Sequence, residues 1–198
     1  MKYPKIDTLW KRDRDNKFKI IEGRYSREEF DNIELWEITE KIDGMNIRVM
    51  WNGDNVTFGG RTDKAIIPEK LMIYLKEIFT IDIMKKTFYD SKNVILFGEG
   101  YGKNIQKAGI KYSDNNQFIL FDICIDDWWL ERNNVDDIAA VFNIKSVPTL
   151  GIMDKDEIVK YVKYKMNSKV AKDELIMEGI VARSYPMMLF RDKSPIMF

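Results

Sequence analysis

The segment from Glu34 to Gly60 constrains the fold of this 198-residue chain most strongly. Its residues form short apolar or alternating runs, which is the pattern of β-strands with a buried face. Asp43-Gly44 follows the first run and Asn52-Gly53 follows the second, and such dipeptides favour tight turns between strands. We therefore predict three strands joined by turns, with Lys41 at the end of the first strand.

The rest of the chain predicts further strands and a few helices. Residues 1–30 are charged with scattered aromatic residues and predict an irregular cover. Helices are predicted over residues 68–79, 134–142 and 155–166, and strands over residues 94–97, 118–121, 177–182 and 187–190. Asn134 and Asp154 are the predicted N-caps of the second and third helices. With no repeat and no linker, this order predicts one α+β domain over residues 1–198.

The composition excludes several kinds of catalytic site. The chain has no histidine, which removes Ser-His-Asp and Cys-His hydrolases and histidine-ligated zinc. Its single cysteine, Cys124, excludes an intramolecular disulfide and fits a reducing compartment. With no secretory signal and no long apolar run, we predict a cytoplasmic protein, in a host cell if its source is viral. The net charge is zero, so nucleic-acid binding would need a local basic patch.

The motif that carries chemistry is Glu40-Lys41-Ile42-Asp43-Gly44-Met45-Asn46. A lysine between a strand and a tight turn presents its amine at the mouth of a sheet. The amine is nucleophilic only when it is neutral, which requires burial or a nearby positive charge, and a nucleotide pocket with a bound metal supplies both. K-x-D-G alone often marks only a hairpin turn, but K-x-D-G-x-N arises by chance on the order of a few times per thousand chains of this length.

Four more motifs follow in order: Phe58-Gly59-Gly60-Arg61-Thr62, Phe97-Gly98-Glu99-Gly100-Tyr101, Leu120-Phe121-Asp122-Ile123 and Met177-Glu178-Gly179-Ile180-Val181. They place an arginine, an aromatic residue and two carboxylates on or beside strands. Taken singly, each has an ordinary explanation: Phe121 as a core residue, and Glu99 or Glu178 as a solvated strand end. Their combination with K-x-D-G-x-N favours one shared site.

In this combination the chain resembles the ATP-dependent RNA ligases of RNA repair and editing, within the covalent nucleotidyltransferase superfamily. Superfamily motifs I, III, IIIa and IV match residues 41–46, 97–99, 120–122 and 178–181. ATP-dependent DNA ligases and mRNA capping enzymes usually have arginine at the position of Asn46, so asparagine favours the RNA-ligase branch. The resemblance implies the adenylation-domain fold of this superfamily, an ATP-grasp-like α+β fold with antiparallel sheets and flanking helices.

The resemblance also implies a reaction and a set of binding residues. Lys41 would form a covalent lysyl-AMP from ATP, pass AMP to an RNA 5′-phosphate, and an RNA 3′-OH would then seal the strand. Phe121 would stack on the adenine, and Glu178 would help to hold Mg²⁺ or Mn²⁺. The implied nucleotide-binding residues are Glu40, Ile42, Asp43, Gly44, Asn46, Arg61, Glu99, Phe121 and Glu178. Arg48, Lys103 and Lys107 are candidate contacts to phosphates of ATP or RNA, although a solvated position explains them equally well.

One motif of the superfamily is not found. Motif V normally supplies two lysines that neutralise the α-phosphate, and they would be expected just beyond Phe198. The resemblance therefore predicts that this chain, as given, binds ATP or AMP but adenylylates slowly. Three alternatives stay open: a small DNA ligase, a GTP-using capping enzyme, and a non-catalytic nucleotide- or RNA-binding module of the same fold. A monomer is the default expectation.

Overall fold

The computed structural model describes residues 1–198 and contains eleven strands and five α-helices. The strands are β1 (Trp10–Asp13), β2 (Lys19–Tyr25), β3 (Trp36–Lys41), β4 (Met45–Trp51), β5 (Val56–Gly60), β6 (Val94–Tyr101), β7 (Gln117–Ile125), β8 (Trp128–Trp129), β9 (Lys145–Ser146), β10 (Thr149–Met153) and β11 (Gly179–Ser184). The helices are α1 (Glu69–Ile78), α2 (Ile81–Thr87), α3 (Gly109–Tyr112), α4 (Arg132–Val141) and α5 (Lys155–Lys163). The predicted α+β class is confirmed. None of the helices combines the length and apolar character that crossing a membrane requires.

Contacts divide the chain into two compact units, each assembled from three segments of sequence. Unit 1 comprises residues 1–3, 41–148 and 167–178, and unit 2 comprises residues 4–40, 149–166 and 179–198. Because the chain passes repeatedly from one unit to the other, no linker marks a boundary in the sequence. This division does not test the prediction of one domain over residues 1–198, which stays a prediction.

Unit 1 is built on a mainly antiparallel sheet with the strand order β5-β4-β6-β7-β8, and β9 pairs in parallel with β7. One face of the sheet carries Ile47, Val49, Leu96 and Phe118, which pack against residues of α1, α2 and α4. Burying each such side chain stabilises the fold by roughly 1.5–3 kcal/mol. This core holds β4, β6 and β7 in fixed register, and these strands carry the site residues on their other face.

A β-bulge in β7 determines which residues reach that other face. Phe97 lies opposite Asp122 and Gly98 lies opposite Leu120, so Phe121 is an extra residue on its strand. Such a bulge interrupts the alternation of side chains. Leu120 packs in the core with the helices, whereas Phe121 packs with Ile119 in a separate cluster.

Unit 2 contains the three-stranded sheet β10-β3-β11, the antiparallel β1–β2 hairpin and α5. Its core is aromatic: the Trp36 ring centroid lies 5.5 Å from that of Phe30 and 4.6 Å from that of Phe198. Phe198 also exchanges two backbone hydrogen bonds with Ala182 of β11, at 2.8 and 2.9 Å. The final residues of the chain therefore extend this sheet.

Local sequence signals predicted most of these elements. Strands β3 to β5 and helix α1 lie where the sequence placed them, and the Asp154 cap is confirmed by a capping box with Glu157. Helix α5, however, ends at Lys163, three residues before the predicted end at Met166. Strands β6, β7 and β11 confirm three more predicted strands, within a few residues at their ends.

Three other predictions were wrong. Residues 1–30 are not an irregular cover, because β1 and β2 form a hairpin whose largely exposed, charged strands hide the usual alternation. Helix α4 begins at Arg132 rather than after Asn134, and the buried Arg132 donates from Nη1 to the carbonyl oxygen of Phe121 at 2.9 Å. Because of this tertiary contact, the helix begins about one turn before the start that the predicted cap at Asn134 indicated. Residues 187–190 form only an isolated bridge, Leu189 to Pro195.

Candidate active site

Lys41 is the last residue of β3, and the chain then turns through Ile42, Asp43 and Gly44 into β4. Gly44 lies so close to β6 that a Cβ atom there would collide with the carbonyl oxygen of Gly100 and lie 2.9 Å from Cγ of Glu99. Backbone at that distance cannot move aside, so only glycine permits this approach. The sequence motif therefore fixes the turn that follows Lys41 against the strand that carries Glu99.

The register of β4 and β6 places Asn46 directly opposite Glu99. Side chains of directly paired residues lie on the same face of a sheet. The Oδ1 atom of Asn46 is buried and has no hydrogen-bond partner in the structure. A buried acceptor without a partner is costly, and such an atom is a candidate for hydrogen bonding to a ligand.

Charged side chains converge on Lys41. Its Nζ donates to Oε1 of Glu178 in an ion pair, with side chains 44% and 38% exposed. Burial raises the pKa of Glu99 to about 8, a shift that the positive charges of Lys41 and Arg61 oppose and the negative charges of Glu178 and Asp43 increase. Five of the predicted site residues thus act on one another electrostatically, and Glu99 is mostly protonated at neutral pH.

An apolar cluster adjoins this charged group within unit 1. Phe121 is half-buried and packs with Ile42 and Ile119. The ring of Tyr3 meets Phe121 edge-on, with centroids 4.8 Å apart, and its hydroxyl donates to Oδ2 of Asp122 at 2.5 Å. Tyr3 was not predicted as part of the site, because it is 119 positions from Asp122 along the chain.

The loop after β6 contacts the same turn. Nε2 of Gln106 donates to the carbonyl oxygen of Gly44 at 3.1 Å. The sequence singled out this loop for its lysines, Lys103 and Lys107, and both are exposed in the structure. Their phosphate contacts stay predictions, whereas Gln106 was missed because glutamine in a polar loop carries no distinguishing pattern.

Arg48 is buried and bonded to other groups of unit 1. Its side chain is 5% exposed, and its guanidinium donates to the carbonyl oxygens of Gly60 and Met1 at 2.8 and 3.2 Å and to Oδ1 of Asp63 at 2.7 Å. Arg48 therefore holds the segment on both sides of Arg61, and its contact to phosphates of ATP or RNA stays a prediction. Glu40 is buried on the part of β3 that belongs to unit 2, and its role stays a prediction.

Comparison with known proteins identifies the family. Residues 34–197, more than four fifths of the chain, match the family described as RNA ligase. The chain belongs to the RNA ligase family. A search of curated proteins found no significant match.

Solved structures of this family share its fold. A mutant of the Naegleria gruberi RNA ligase with ATP and Mn is 21% identical, with a TM-score of 0.62, over 79% of this chain and 49% of that chain. Another mutant with AMP and Mn is 20% identical, with a TM-score of 0.61, over 79% and 48%. This chain thus spans about half the length of those ligases. At this identity the likeness shows the fold, and the predicted nucleotidyltransferase fold is confirmed.

This member of the RNA ligase family has no preformed metal cage. No group of three or more acidic or cysteine side chains is placed to hold a metal ion. Mg²⁺ does not require such a group, because it keeps several waters and commonly takes one or two carboxylates together with substrate phosphates. Glu178 offers a half-exposed carboxylate beside Lys41 and fits such a role.

Gly44 gives the first testable prediction for this ligase-family site. Gly44→Ala is expected to destabilise the protein by about 1–3 kcal/mol, the usual cost of overpacking, because its new Cβ would overlap the backbone of Gly100. Urea unfolding measures the change. Gly179→Ala is the matched control, since no atom lies within 4 Å of a Cβ built there. Equal stability of the two variants would show that the turn does not require glycine.

Proposed function

We propose that this chain is the adenylation domain of an ATP-dependent RNA ligase. Lys41 accepts AMP from ATP, AMP passes to the 5′-phosphate of an RNA end, and the 3′-OH of another end displaces it to form the phosphodiester. The observation that carries the proposal is the half-exposed Lys41 amine, which faces Glu178 beside the half-buried Glu99 in a chain of the RNA ligase family. RNA ends are the proposed partners, in RNA repair.

The first step requires a neutral amine. The Nζ lone pair of Lys41 attacks the α-phosphorus, the bond from that phosphorus to the bridging oxygen of pyrophosphate breaks, and pyrophosphate leaves with the electron pair. Lys41 donates to Glu178 in an ion pair, so its amine must lose a proton before or during attack. A divalent cation held in part by Glu178 would supply positive charge that balances the phosphates.

The residues around Lys41 offer a chemically suitable environment for AMP. Phe121 is partly exposed and presents apolar surface for a purine ring, and stacking on an aromatic side chain contributes about 1–3 kcal/mol per base. The unpartnered oxygen of Asn46 can accept a hydrogen bond, and the protonated carboxyl of Glu99 can donate one. Arg61 is exposed and available to a phosphate.

The ligands of the Naegleria ligase fit the same reaction. That protein has been solved with ATP and Mn, with AMP and Mn, and with PPi. These are the substrate, the transferred group and the leaving group of the step proposed for Lys41. Their transfer to this chain rests on family membership and on the shared fold.

Retention of labelled nucleotide tests the proposal. After incubation with a divalent metal, ATP labelled at the α-phosphate is expected to leave label on the denatured protein, whereas ATP labelled at the γ-phosphate leaves none. GTP labelled at the α-phosphate controls for base specificity and is expected to label weakly. Equal labelling by GTP would favour a capping-type enzyme, and no labelling by either nucleotide would favour a non-catalytic binding module.

A further inference from the structure

The β1–β2 hairpin of unit 2 ends in a turn that its residues do not favour. Lys19 N donates to the carbonyl oxygen of Asn16 at 3.0 Å, and the two central residues, Lys17 and Phe18, have positive φ angles of 49° and 56°. Turns of this kind normally use Asn or Gly, because a side chain at positive φ is strained. Phe18 is also 59% exposed, so burial does not compensate for the strain. Folding stability alone does not account for phenylalanine at this position.

The same hairpin carries an excess of positive charge in a chain whose net charge is zero. Residues 10–25 contain six basic side chains and three acidic ones. All six basic residues are exposed, and none forms an ion pair in the structure: Lys11, Arg12, Arg14, Lys17, Lys19 and Arg24. This is the local basic patch that a neutral chain needs in order to bind a polyanion.

The base of the hairpin is fixed while its tip is exposed. Trp10 and Tyr25 stack with ring centroids 4.9 Å apart, and Nζ of Lys155 lies 5.1 Å from the centroid of Tyr25. Lys155 also donates to the carbonyl oxygens of Phe30, Asp31 and Ile33, at 2.9 to 3.0 Å. The hairpin is therefore held to the core of unit 2, and residues 11–20 are almost all exposed.

We propose that the β1–β2 hairpin binds the RNA strand, with its basic side chains on phosphates and the Phe18 ring stacked on a base. The inference rests on the proposed ligase function and identifies a surface that would hold its polynucleotide. An isolated aromatic residue among unpaired cations matches single-stranded nucleic acid, whose bases stack on aromatic rings and whose phosphates attract cations. A protein partner would require a contiguous apolar patch, and the hairpin exposes only Phe18 and Ile20 as large apolar residues.

Replacing Phe18 by glycine tests RNA binding without disturbing the fold of the hairpin. Phe18→Gly removes the ring and relieves the positive φ, so the turn is retained. Its affinity for a 5′-phosphorylated single-stranded RNA, measured by fluorescence anisotropy, is expected to fall roughly tenfold or more. Phe18→Tyr keeps an aromatic face and is expected to bind within about twofold of the wild type.

Two arginines test the phosphate contacts. For Arg12→Ala/Arg14→Ala, the slope of log affinity against log salt concentration is expected to fall by about 1.4, since each contact to a single strand contributes about 0.7. Lys85→Ala/Lys86→Ala, which removes two exposed lysines from α2, is the matched control and is expected to keep the wild-type slope. Circular dichroism checks that each variant is folded.

The outcomes distinguish this proposal from the ligase function. Lysyl-AMP formation needs no RNA, so all four variants are expected to adenylylate at the wild-type rate. The hairpin proposal would be overturned if Phe18→Gly kept the wild-type RNA affinity and the double arginine variant kept the wild-type salt slope. It would also be overturned if the wild type did not bind RNA. A wild-type protein that binds RNA through the hairpin but takes no AMP would overturn the proposed ligase function instead.

Discussion

Replacing Lys41 by alanine is expected to abolish the covalent AMP adduct and to leave the fold intact. The adduct is expected to disappear because no other lysine amine stands at the end of β3 beside Glu178. The fold is expected to survive because the Lys41 side chain is 44% exposed and its ion pair with Glu178 is only partly buried. Partly exposed pairs of this kind contribute about 0–1 kcal/mol to stability. Intact mass after incubation with ATP measures the adduct, and thermal unfolding measures stability.

A second substitution separates the nucleophile from the charge. Lys41→Arg keeps a cation beside Glu178 and Glu99, but a guanidinium stays protonated and cannot attack phosphorus. It is therefore expected to fail in adduct formation as completely as Lys41→Ala. Lys85→Ala, which removes an exposed lysine of α2, is expected to label like the wild type. Peptide mapping that located AMP on Lys64, Lys103 or Lys107 would refute the assignment to Lys41.

The features that the sequence predicted are those with local causes. The turns at Asp43-Gly44 and Asn52-Gly53 and the cap at Asp154 each depend on residues within a few positions, so single-sequence patterns predict them. The order of the motifs then supported the resemblance to RNA ligases. That resemblance predicted that Lys41, Glu99 and Glu178 share one site. Spacing alone could not predict it, because Lys41 and Glu178 are 137 positions apart.

The features that escaped prediction depend on distant contacts. The bulge at Phe121 arises from the pairing of β7 with β6, and nothing in residues 118–123 indicates where alternation shifts. Tyr3 and Gln106 contact the site region across 119 and 62 positions, respectively. Arg48 was interpreted from its charge, and its neighbours in sequence do not indicate that it is buried with three protein acceptors. Residue type and spacing predict buried apolar faces, but they do not show that a charged side chain such as Arg48 is buried.

Burial also makes Glu99 a source of pH-dependent stability. Desolvation is the largest cause of its raised pKa, so the folded protein holds a proton on Glu99 up to about pH 8, whereas the unfolded chain releases it near 4.5. Below pH 4.5 both states are protonated, and above about pH 8 both are ionised. Between these values only the folded state binds the proton. Glu99 therefore contributes stability at low pH that is lost as pH rises through this window, by up to about 1.4 kcal/mol per pH unit.

Glu99→Gln is expected to remove this dependence, because glutamine resembles the protonated carboxyl in shape and cannot ionise. Relative to the wild type, the variant is expected to gain about 3–5 kcal/mol in unfolding free energy between pH 4.5 and pH 8.5. Urea unfolding at half-unit pH steps measures the difference. Glu77→Gln, an exposed change on α1, controls for net charge, and its stability curve is expected to run parallel to the wild type. A constant difference between Glu99→Gln and the wild type across this range would mean that Glu99 is ionised in the folded protein at neutral pH, and hydrogen-bond donation to AMP by this carboxyl would then be excluded.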